Sequence, residues 1–82
     1  MDPNTTWTRI LDFIQNKNQD EIQNAKDHAA LLLGWLSSGG FAPDITMNRD
    51  VDRYICASVC YTILTYRNPW VVLDYLINLR AF

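Results

Sequence analysis

Thirteen consecutive residues, Tyr54 to Tyr66, carry no charge at all, and the 29 residues from Tyr54 to Phe82 hold only three of the chain's 16 formal charges, at Arg67, Asp74 and Arg80. A chain of 82 residues has a large surface for its volume, so most of its segments must turn a charged face to water. A segment that turns none is either wrapped by the rest of the domain or covered by another molecule. Whatever fold the chain adopts must resolve that choice.

The Tyr, Ile, Val, Cys and Thr content of the run suits a β-strand. Its length does not: Arg49 to Arg67 is 19 residues without Gly or Pro, against about 5–6 residues for an ordinary strand. On a helix, Cys56, Val59, Cys60 and Ile63 share one face, and Val51, Tyr54, Ile55, Ser58, Thr62 and Thr65 another. Asp44, Thr46 and Asn48 are all capping types, with Asn48 nearest the charged turn Arg49-Asp50-Val51-Asp52-Arg53. At the far end Asn68-Pro69 pushes the residue before Pro out of the α region and opens a new helix with Asn as cap and Pro in the first turn. A helix over about 48–67 is expected, followed at once by another over about 69–80.

The N-terminal half reads the same way. Asp2-Pro3 is a cap followed by a first-turn proline, and Trp7, Ile10, Leu11 and Ile14 form one apolar stripe with Phe13 at its edge. Asn18 and Glu21 have the spacing of a capping box. From there Ile22, Ala25, Ala29, Leu32, Leu33 and Leu36 hold a single stripe until Ser37-Ser38-Gly39-Gly40, where glycine suits a left-handed exit. The expected fold is all-α: a small compact bundle of four helices, about 3–16, 19–38, 48–67 and 69–80, with a Gly-Gly/Pro loop in the middle and a single domain over 1–82.

Apolar residues at 49% and charged residues at 20% place the chain among globular proteins. A formal charge of −2 supplies no basic field, so nucleic acid is disfavoured as a partner. The N-terminus lacks a basic flank followed by an apolar stretch, and the longest uncharged run falls short of the roughly 20 residues that span a bilayer. Cys56 and Cys60, one helical turn apart, are wrongly aimed for a disulfide and read as buried reduced thiols. A soluble cytoplasmic protein without a membrane partner is the expectation.

No residue pattern specifies catalysis, a cofactor or a metal. His28 has Asp27 beside it but no nucleophile at a spacing that sequence reveals, and Cys56-x₃-Cys60 with His28 is not a structural zinc pattern. Asp50 and Asp52, two apart, do not share a helical face. Gly39-Gly40 leaves a helix, whereas phosphate-binding glycines lead into one. Arg49 and Arg53 would suit a groove-binding helix, but the acids among them repel phosphate, and the turn reads as a solvated, mutually compensating cluster.

The aromatic residues are the more suggestive set. Trp and Tyr anchor interfaces because one end is apolar and the other hydrogen-bonds. Trp7 is expected in the core. Trp35, Phe41, Trp70, Tyr75 and Phe82 sit off the main stripes or near helix ends and are the candidate partner-binding residues. The expected function is a small non-enzymatic interaction or regulatory protein that docks through a charge-poor helical face, onto another protein or itself as a homodimer or higher. The rival readings are a dimeric nucleic-acid-associated regulator, and an enzyme or small-ligand pocket between helices near His28, Cys56 or Tyr54.

Overall fold

The computed structural model describes residues 1–16 and 19–73, and all regular structure among them is helical. Helix α1 runs Pro3–Asn16, α2 Ile22–Ser37 and α3 Arg49–Thr65. Residues 69–73 form a further helical segment, α4, so the expected start at Pro69 holds, while the rest of the expected span to 80 lies outside the described residues.

The caps of α1 and α3 are those the sequence suggests. The Asp2 carboxylate accepts from the Asn4 N–H at 3.0 Å and the Thr5 hydroxyl at 2.9 Å, with Pro3 buried behind it. The Asn48 side chain accepts from the Asp50 and Val51 N–H groups at 3.0 and 3.1 Å. The start of α2 differs. Asn18 lies outside the described residues, and Gln19–Glu21 is a single 3-10 turn ahead of α2. Glu21 caps no backbone group; its carboxylate accepts from the Asn24 side chain at 2.8 Å instead.

The core is built on α2, which packs against both α1 and α3. Ala25, Ala29, Leu32 and Leu36 are buried along one stripe, and the two alanines let neighbouring helices approach closely. Trp7 and Ile10 enter from α1, Cys56, Cys60 and Ile63 from α3, and Trp70 and Leu73 from α4. Leu11 corrects the α1 stripe: it is exposed, because the buried line runs through Pro3, Trp7 and Ile10, with Ile14 and Phe13 partly covered.

Two glycines make the exit from α2 possible. Gly39 takes a φ of 91° and its N–H donates to the Leu36 carbonyl, while the Gly40 N–H donates to the Trp35 carbonyl at 2.9 Å. These are the two bonds of a Schellman motif. Gly40 sits against the Trp35 indole, and a Cβ there would clash with the ring.

α2 and α3 are antiparallel, and each closes the other's end. Neither has a basic residue in its own last turn. Arg53, early in α3, donates Nη1 to the Gly40 carbonyl at 3.0 Å and Nη2 to the Leu36 carbonyl. Lys26, early in α2, donates Nζ to the carbonyls of Ile63 and Tyr66 at 2.7 and 3.1 Å. A cation at a helix C-terminus meets both unpaired carbonyls and the negative end of the dipole. α3 stops at Thr65, two residues before the expected Arg67, with Tyr66 extended.

Candidate protein interface

The long connection from Ser38 to Asn48 is held by a residue that the sequence placed in water. Asp52 is buried, and its carboxylate accepts from the Ile45 N–H at 3.2 Å, the Thr46 N–H at 2.7 Å and the Thr46 hydroxyl at 2.6 Å. Those bonds, led by the Thr46 hydroxyl, hold its pKa below the ordinary carboxylate value despite the opposing effect of burial. The Asp44 N–H donates to the Asn4 side chain of α1 at 2.8 Å, and Pro43 is buried. The charged turn 49–53 is thus only partly a solvated cluster: Asp52 and Arg53 are structural ties.

This tied loop frames a cleft of about 750 Å³ between the α2 exit and the start of α3, walled by Trp35 and Phe41 and edged by Asp44, Arg49, Asp50 and Arg53. Two of the five candidate partner-binding residues come together here. The Trp35 indole N–H donates to the Phe41 carbonyl at 2.9 Å, and the two rings meet edge to face at 5.7 Å. Phe41 is 64% exposed while Trp35 is half-buried. Trp70 does not join them. It is 3% exposed and belongs to the core, because the short Arg67-Asn68 corner turns the first turn of α4 inward. Its Nε1 has no hydrogen-bond partner among the described residues. Tyr75 and Phe82 lie outside the described residues.

The residues of the pocket reading lie in different settings. His28 Nδ1 bonds the Asn24 carbonyl at 2.7 Å, and its ring meets Phe13 edge-on at 5.4 Å. Cys56 and Cys60 are both fully buried, and the Cys60 thiol is pushed up by its hydrogen bond with Cys56 and by burial. Tyr54 points outward from the opposite side of α3. Among the described residues no three His, Cys, Asp or Glu side chains group as a metal site would, and no helix is long and apolar enough to cross a membrane.

Among the described residues, α3 is covered on one side only. Cys56, Cys60 and Ile63 face α2, whereas Val51, Tyr54, Ser58, Tyr61 and Thr65 face water. Tyr54 is 75% exposed and Tyr61 62%. The choice between wrapping and exposure is thus divided between the two faces: α2 reaches one face of the helix, and the other keeps its tyrosines outside. The outward residues stand 3, 4, 3 and 4 apart along the chain, the alternation of a helix–helix packing seam. All of them but Tyr61 fall on the second face expected from helical spacing. That spacing, taken with the lack of charge, was the signal for Tyr61.

No family model matches the chain, and no curated protein or solved structure gives a match.

Proposed function

We propose that this is a small protein-interaction module without catalytic function, whose docking surface is the outward face of α3. The observation that carries the reading is the uncharged, exposed seam Val51-Tyr54-Ser58-Tyr61-Thr65 on a helix whose opposite face already serves the core. Solvent-facing helix surfaces ordinarily carry charge, and exposed apolar and aromatic surface in one strip marks an interaction site. Tyr54 and Tyr61 are the anchors, each with an apolar ring and a hydroxyl that hydrogen-bonds across an interface. Phe41, beside the cleft, is a secondary contact. Buried free thiols suit a reducing compartment such as the cytoplasm.

The reading is tested by affinity purification from native lysate, comparing the chain with its Tyr54→Lys, Tyr61→Lys variant. Both positions are exposed, so the variant is expected to keep its helical circular dichroism and melting midpoint. The expected result is a reproducible co-purifying protein, an untagged copy of this chain included, that the variant loses. Retention of the same proteins by the variant would sink the reading.

A further inference from the structure

We infer that the occupant of the α3 outer face is a second copy of this chain, lying antiparallel and crossing at Ser58; this rests on the reading of that face as a docking surface. The seam contains no charge, so two copies meet without like-charge repulsion. Its order is also nearly palindromic. Counting from Ser58, a β-branched residue stands at −7 (Val51), a tyrosine at −4 (Tyr54), a tyrosine at +3 (Tyr61) and a β-branched residue at +7 (Thr65). Turned end for end, the face presents the same sequence of shapes. Self-complementarity of that kind is what a two-fold interface requires. Ser58, the smallest member, sits where the helices cross and lets the two backbones approach, while Tyr54 of one copy lies beside Tyr61 of the other.

Charge at the two ends of the helix selects the direction. Asp50 lies at the N-terminal edge of the seam and Arg67 just past the end of α3; both are exposed, and neither side chain has a partner among the described residues. Antiparallel crossing at Ser58 sets Asp50 of each copy near Arg67 of the other, forming the same ion pair twice. Parallel packing would set Asp50 against Asp50 and Arg67 against Arg67. Opposed helix dipoles favour the antiparallel arrangement as well. One helix pair buries less than the roughly 800 Å² per partner of a standard interface, so the dissociation constant is expected to lie between about 10 µM and about 1 mM.

Sedimentation equilibrium from about 10 µM to about 1 mM brackets that affinity. A monomer–dimer equilibrium is expected, weakened about tenfold by Asp50→Arg or Arg67→Asp alone and restored to within about threefold when both are combined. Disulfide trapping with glutathione disulfide reads the geometry directly. Ser58→Cys is expected to link to itself, and Val51→Cys to link to Thr65→Cys but not to itself; the native thiols are buried. Val51→Cys linking to itself would overturn the antiparallel arrangement. A strict monomer across the range would overturn the second copy as occupant. If the Tyr54→Lys, Tyr61→Lys variant nevertheless lost a different lysate protein, the docking face would stand with another partner. Self-association that this variant leaves unchanged would overturn both.

Discussion

From Tyr54 onward the two faces of α3 share a lack of charge and have opposite reasons for it. On the inner face, Cys56, Cys60 and Ile63 are uncharged because they pack in the core with Ala25, Ala29 and Leu32, where an unpaired charge would be prohibitively desolvated; the one charge buried on that side, Asp52, is hydrogen-bonded to the loop. The outer face (Val51, Tyr54, Ser58, Tyr61, Thr65) lacks charge although water surrounds it, where charge would cost nothing. Burial explains the first face fully and the second not at all. The absence of charge is therefore functional information only after the folded side has been subtracted. What remains here is a strip one helix face wide.

The sharpest way to break that comparison is to truncate one large residue on each face. Ile63 is fully buried, so Ile63→Ala removes packed methyl groups and leaves a cavity, and is expected to destabilise by about 2–5 kcal/mol. Tyr61→Ala deletes a larger side chain but is expected to change monomer stability by no more than about 0.5 kcal/mol, since its ring is exposed. Urea melts of both variants in dilute solution make the measurement. Comparable losses would mean that Tyr61 packs within its own chain, and the distinction between the faces would fail.

A smaller effect is expected at the flank, where α3 is tied to α2. Arg53→Met keeps much of the aliphatic stem but removes the donors to the Leu36 and Gly40 carbonyls, and is expected to cost about 1 kcal/mol. Lys26→Met removes the matching tie at the other end and is expected to cost somewhat less, with a compact ammonium in place of a forked guanidinium. Both losses should appear in denaturant melts and leave self-association unchanged. A change in association would mean that the flank and the outer face are one surface.

These ties also show where sequence reading stops. Local signals were legible. Asp2-Pro3, Asn48 and Asn68-Pro69 mark helix starts through bonds spanning a few residues, and length alone separated helix from strand in the uncharged run. Arg53 and Lys26 act across 13 to 40 positions of chain, and no local pattern announces that. A hint existed: neither α2 nor α3 ends in a basic residue, and an antiparallel pair brings each early cation to the other's exit. Trp70 was misplaced because Asn68-Pro69 marks a corner without giving its direction. The docking face was half legible, since the run was visible and its outward side was not. Trp35 and Phe41 lie off the buried stripe of α2 as walls of a cleft beside the loop, with Trp35 partly packed against the core.

The last prediction concerns Asp52, two residues from the Asp50 of the proposed interface but turned the other way, and is read in the pH dependence of stability. Its folded pKa lies below the ordinary 3.8, chiefly because the Thr46 hydroxyl and then the Ile45 and Thr46 N–H groups bond the ionised form. A depressed folded pKa stabilises the fold wherever the carboxylate is ionised in both states, so this contribution is complete above about pH 5. It fades as pH falls through the unfolded value and is gone below the folded one. Asp2 is held low in the same way, first by the Thr5 hydroxyl and then by the Asn4 N–H. Asp52→Asn should therefore make the acid limb of the melting temperature shallower without flattening it, with the two proteins converging at the lowest pH. Thermal melts from about pH 2 to 6 test this. Parallel curves for the two proteins would mean that Asp52 is not ionised in its loop bonds, and that the buried side of the charged turn is held by packing alone.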